Sequence, residues 1–118
     1  MHPDHLVHAA KHAVLALAVG YRPPTRERSV YAAGLPTLAA LEIGVRTLGW
    51  SGFASDHDVL IGGKLARVLC GGELSAPQWV DEEHFLALER EAFVELLHEQ
   101  KTMERIQHML TAGKPLRN

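Results

Sequence analysis

The hydrophobic pattern along the chain is helical, and it is densest between Ser55 and Gly72. A helix over residues 56–70, stepped at about 100° per residue, carries Val59, Ile61, Leu65, Ala66, Val68, Leu69 and Cys70 around most of its circumference. Only Lys64 and Arg67 interrupt, on one narrow arc. A surface helix shows a distinct polar half, so a helix apolar on nearly every side is expected to lie among other helices. Its ends are marked. Ser55 is a suitable N-cap with Asp58 three residues on, an imperfect capping box, and Gly71-Gly72 is a stop in the left-handed region. Gly62 and Gly63 each cost helix propensity, about 1 kcal/mol against Ala. That fits close approach of another backbone or, alternatively, of a ligand.

Four further segments have one apolar face each. Residues 4–19 place Leu6, Ala9, Ala10, Ala13, Val14 and Leu17 together, with Pro3 and Asp4 suited to a helix start. Pro36 opens a helix running to about residue 48, with Leu38, Leu41, Val45 and Leu48 on one side and Glu42 and Arg46 as an i, i+4 pair on its flank. Gly49-Trp50-Ser51-Gly52 breaks it, and Trp50 and Phe53 are expected to fill the corner before the next helix. From Asp81, whose carboxylate can cap the amides ahead, Phe85, Leu86, Leu88, Ala92, Phe93, Leu96 and Leu97 cover a half-cylinder. Residues 102–112 turn Met103, Ile106, Met109 and Leu110 inward before the stop at Gly113 and Pro115. No strand-period alternation stands out from the Ala- and Leu-rich background. The pattern predicts an all-α fold of about five helices packed round the apolar helix at 56–70, as a single helical domain over residues 1–118.

Composition narrows what such a domain does. Twelve Lys+Arg against 14 Asp+Glu leave a formal charge of -2, which gives no bulk attraction to nucleic acid or to an anionic membrane. A single cysteine, Cys70, on the apolar helix excludes an internal disulfide framework and fits a reducing compartment. No apolar run approaches the 18 residues that a membrane span needs, and the first residues are not those of a secretory signal. A soluble cytoplasmic protein is the expectation.

Three groups of side chains suggest chemistry. His5, His8 and His12 share one arc of the first helix at a spacing that could chelate a divalent transition metal, although no second ligand cluster supports it; solvated histidines on an outer face are the alternative. Arg22, Arg26 and Arg28, flanked by Tyr21 and Tyr31 in the stretch broken by Pro23-Pro24, could form a phosphate site, because guanidinium forks match phosphate oxygens. Glu27 among them fits solvated or ion-paired arginines equally. Glu89 falls inside the apolar half of its helix, where a carboxylate is costly unless paired. It is either an acid or base of raised pKa or a structural partner for Arg67, Lys64 or Arg105, and the expected pairing is a buried ion pair with Arg67. The chain lacks a dinucleotide loop after a strand, a phosphate-loop lysine motif, a Gly-x-Ser-x-Gly elbow and a His-Glu-x-x-His pair.

Four stretches carry a resemblance: Gly-Tyr-Arg-Pro-Pro at 20–24, Leu-Cys-Gly-Gly at 69–72, Leu-Glu-Arg-Glu-Ala-Phe at 88–93, and the ending Lys-Thr-Met-Glu-Arg-Ile-Gln-His-Met-Leu-Thr-Ala-Gly-Lys-Pro-Leu-Arg-Asn. Together they resemble the C-terminus of the long bacterial 3-hydroxyacyl-CoA dehydrogenase proteins of fatty-acid β-oxidation, in which a crotonase-like enoyl-CoA hydratase part follows the dehydrogenase part. In that family the nicotinamide-binding loop, the dehydrogenase His-Glu pair and the hydratase oxyanion amides and glutamates all lie upstream of the matching segment, so no catalytic residue carries over. The resemblance implies a helical structural or subunit-interaction module without a complete active site, whose partners are the upstream domains or a second copy of itself. CoA thioester and NAD are implied for the whole enzyme and not for this chain alone. The alternative is a stand-alone helical protein that binds acyl-CoA or another phosphorylated ligand through the Arg22, Arg26 and Arg28 stretch.

Overall fold

The computed structural model describes residues 3–23 and 28–118. In chain order the elements are α1 (Pro3–Ala18), β1 (Ser29–Ala32), α2 (Gly34–Trp50), α3 (Asp56–Leu69), β2 (Gln78–Asp81), α4 (Glu82–Leu97) and α5 (Gln100–Ala112). The fold is all-α apart from one antiparallel strand pair, in which Ser29 faces Asp81 and Ala32 faces Gln78. The five helices fall close to the positions that periodicity predicts. The strands do not show in the sequence, because four residues are too few for alternation to register.

Local chemistry sets the helix boundaries. Ser55 Oγ accepts from the Asp58 amide, and Asp58 Oδ2 accepts from the Ser55 amide at 3.0 Å, so the capping box at the head of α3 is complete. Asp81 accepts from the Glu83 amide at 3.0 Å and caps α4, and Gly113 ends α5 in the left-handed region. At the far end of α3, Gly71 and Gly72 have φ of +79° and +80°. Their turn is hydrogen-bonded to the head of α2 and to α4. The Cys70 carbonyl accepts from the Gly34 amide at 3.0 Å, the Leu74 carbonyl accepts from the Leu35 amide at 2.8 Å, and the Gly71 carbonyl accepts from His84 Nε2 at 2.8 Å.

The core lies beside that turn and is small: Leu38, Ala66 and Cys70 are buried, with Ala33 packed against them. Burial raises the Cys70 thiol pKa. α3 packs between α2 and α4. Its approach to α2 is close enough to need glycine twice, because a Cβ on Gly62 would stand 2.9 Å from Val45 Cγ1 and one on Gly49 would stand 2.7 Å from Val59 Cγ2. Gly63 has no such neighbour within 4 Å. α5 follows α4 and is fastened to the head of α3 by a buried hydrogen bond between His57 Nε2 and Thr102 Oγ1 of 2.9 Å.

Several expectations are corrected here. α3 is flanked on two sides but not enclosed, and Leu65 and Leu69 remain more than half exposed. Trp50 and Phe53 do not fill the α2–α3 corner; they project from it at 81% and 82% exposure, on either side of a left-handed turn at Gly52, φ +76°. Met103, Met109 and Leu110 of α5 are likewise exposed, and only Ile106 of that set is half-buried. α1 stands apart, with every side chain from His5 to Ala18 exposed.

Glycine placement gives a paired test. Gly71→Ala combines a left-handed φ with a Cβ 2.6 Å from Ala32 Cβ and should destabilise the fold by about 2–4 kcal/mol. Gly63→Ala meets open space and should stabilise it by about 0.5–1 kcal/mol through helix propensity. Thermal or urea unfolding of both variants measures the contrast.

Candidate interaction surface

The chain buries far less of itself than its size allows. Its accessible surface is 9328 Å², where a compact monomer of 13.0 kDa has about 6,300 Å². Its radius of gyration is 21.0 Å, against about 13–14 Å for a compact domain of this length. The apolar side chains that would close the difference lie in defined places. α1 presents Leu6, Val14 and Leu17 on one stripe. The α2–α3 corner presents Trp50 and Phe53. On the strand pair, Tyr31 and Trp79 meet edge to face at 5.5 Å with both rings exposed.

Two grooves flank α3. One, of about 290 Å³, lies against α2 between Glu42, Val45, Arg46, Val59, Leu60, Gly63, Lys64 and Arg67. Half of its lining is charged, and Gly63 supplies open floor. The other, of about 350 Å³, lies against α4 and is more apolar, formed by Ile61, Leu65, Val68, Ala92, Phe93 and Leu96, with Lys64 and Glu89 at its edges. Exposed apolar grooves and patches mark interaction sites in soluble proteins when they are large and contiguous.

Among the described residues, the site candidates singled out in the sequence are exposed. Glu89 is exposed and does not pair with Arg67; Arg67 instead lies 3.5 Å from Glu73 in an exposed pair. The ion pair that crosses from α3 to α4 joins Lys64 to Glu95, and Lys64 holds the Glu95 carboxyl below its usual range. The reason is one of phase: Lys64 and Glu95 stand opposite each other across the helix pair, while Glu89 sits at the rim of the groove. Arg22 and Arg28 are exposed, and Arg26 lies outside the described residues. His8 and His12 lie 4.5 Å apart, ring centre to ring centre, but no group of three metal-ligating side chains occurs among the described residues.

One polar network that sequence reasoning reached only in part holds the head of α3. Arg105 donates to Asp58 Oδ1 at 2.7 Å and to Asn118 Oδ1 at 2.8 Å, tying α5 and the chain's last residue to the capping box. The guanidinium and the Ser55 hydrogen bonds lower the Asp58 carboxyl from 3.8 to about 2. The capping pattern of Ser55 and Asp58 is visible in the sequence; the partner 47 positions away is not.

Because the Asp58 pKa is depressed in the folded chain, its contribution to stability is present above about pH 4 and is lost as pH falls toward 2. Unfolding midpoints should therefore drop between those values, and Asp58→Asn should flatten that part of the profile. Ser55→Ala, which removes the cap, should cost about 1 kcal/mol near neutral pH by thermal unfolding.

No family model and no solved structure matches the chain. No described helix is long and apolar enough to cross a membrane. A curated relative from Bacillus subtilis (strain 168), described as a probable 3-hydroxyacyl-CoA dehydrogenase, is 46% identical over 116 residues, which are 98% of this chain and 15% of the relative. Along nearly its whole length the chain is thus similar to the C-terminal part of a much longer dehydrogenase.

Proposed function

We propose that the chain is a helical structural and subunit-interaction module of a 3-hydroxyacyl-CoA dehydrogenase of fatty-acid β-oxidation, of the kind that also carries a crotonase-like hydratase part. The observation that supports this reading best is the surplus of roughly 3,000 Å² of surface over a compact monomer of the same mass. A specific protein interface buries about 800 Å² on each side, so the surplus is large enough for docking against a larger body. The similarity to a probable dehydrogenase of which the chain spans 15% supports reading that body as the rest of such an enzyme. In this role the helices supply shape and apolar contact, and the reacting groups belong to the partner.

A CoA- or phosphate-binding role for the stretch at Arg22 and Arg28 gains no support from the geometry, since those described arginines lie on open surface. The module reading predicts that the purified chain neither hydrates an enoyl-CoA nor reduces NAD with a 3-hydroxyacyl-CoA. It also predicts that the Bacillus relative, expressed without the matching segment, loses solubility or activity and regains it when this chain is added in trans. Turnover by the chain alone, or full activity of the shortened relative, would remove the reading.

A further inference from the structure

We infer that the groove between α2 and α3 receives an acidic segment of the larger enzyme body, with a carboxylate of that segment held by Arg46 and its backbone laid against Gly63. The inference rests on the interaction-module reading and adds to it the surface that docks and the chemistry of what docks there.

The groove is built by helical phase. Glu42, Val45 and Arg46 follow on one side of α2 at i, i+3 and i+4, and Leu60, Gly63, Lys64 and Arg67 follow on one side of α3 at i, i+3, i+4 and i+7. Val45 meets Gly62 across the helix pair, so their neighbours Arg46 and Gly63 line the groove at about the same level. Gly62 is explained within the chain, because a Cβ there would stand 2.9 Å from Val45 Cγ1; a Cβ on Gly63 meets nothing within 4 Å. Gly63 weakens α3, and no packing inside this chain requires it. A bare stretch of helix backbone at the floor of a groove fits close approach by something outside the chain.

Charge selects the occupant. Three cations and one carboxylate, Glu42, line the groove, on a chain whose formal charge is -2. Lys64 is already paired with Glu95 of α4, and Arg67 has a loose, exposed pair with Glu73 at 3.5 Å, of little strength in water. Arg46 has no hydrogen bond or ion pair among the described residues, so the i, i+4 pair with Glu42 expected from the sequence does not form. A planar guanidinium beside an apolar floor of Val45, Val59 and Leu60 matches a carboxylate flanked by apolar side chains. Only α2 and α3 wall the groove, whereas small-molecule sites enclose about 70–90% of their ligand; a trough open on its outer side suits a polypeptide segment. The Val59 end carries on toward the α2–α3 corner, since Val59 Cγ2 packs at Gly49, and there Trp50 and Phe53 stand exposed. The groove against α4 has one lysine and one carboxylate in its lining and selects no charge.

Overlapping synthetic peptides of about 25 residues, the size of one side of a standard interface, taken from the rest of the Bacillus relative and labelled with fluorescein, are the probe. Fluorescence anisotropy with the intact 118-residue chain should show binding by at least one peptide of net negative charge, weakened as salt is raised. Arg46→Glu should raise its dissociation constant about tenfold or more, and Arg46→Lys should recover part of the loss. Gly63→Leu should block binding while leaving the unfolding midpoint unchanged or higher, because the new side chain enters the open groove and improves helix propensity. That opposition of signs separates a blocked surface from a damaged fold. Absence of any bound peptide, binding only by peptides without net negative charge, or binding indifferent to Arg46→Glu and Gly63→Leu would overturn the inference. So would self-association of the chain that the same two variants abolish, which would make a second copy the occupant. The module reading is tested apart from this: a parent chain that rescues the shortened relative, with Gly63→Leu rescuing it equally well, would remove the groove and leave the module standing.

Discussion

The turn at Cys70-Gly71-Gly72 is the constraint on which the rest of the structure depends. A chain leaving α3 must reverse within two residues while β1, the head of α2 and α4 all approach it. Two consecutive left-handed residues achieve that reversal, and only glycine takes the conformation without strain. The same compactness fixes Cys70 and Ala66 as the buried small residues of the core. A side chain at Gly71 would push β1 away, since Ala32 already sits where its Cβ would go. The fold is held by close backbone contact at one end of α3 and by the Ser55–Asp58–Arg105 network at the other. The length between is left with its apolar side chains half open.

That division explains what could be read in the sequence. Helix positions, the Ser55 and Asp81 caps, the Gly71-Gly72 and Gly113 stops and the need for glycine at Gly62 all arise from interactions within a few residues or from one packed neighbour. Local patterning captures such features. The degree of burial is not legible in the sequence, for a definite reason. Apolar content around the whole of α3 predicts enclosure, but it says nothing about which chain does the enclosing. Leu65, Leu69, Trp50 and Phe53 are apolar, and within this chain little covers them. The strand pair escaped for a different reason: its partners are brought together by α2 and α3, and neither four-residue segment has a signature of its own.

The candidate site followed the same logic. Glu89 lines the α3/α4 groove among apolar side chains but is exposed, whereas a pairing with Arg67 requires that face to be buried within the chain. With that face open, Lys64 is satisfied by Glu95 and Arg67 by Glu73, and Glu89 is left at the groove edge. The histidines of α1 and the arginines near Tyr21 are polar surface without convergence among the described residues. The described surface therefore presents apolar side chains edged by a few charges.

The strand pair also bears on the order of assembly. Ala32 and Gln78 pair across 46 positions, and so isolated a ladder gains little to offset the closure entropy of a segment that long. α2 and α3, adjacent in sequence and interlocked at Gly49 and Gly62, can meet first and bring the two ends within reach. Tyr31 and Trp79 would then zip late in folding, as a clasp fastened after the helical hairpin has already been set.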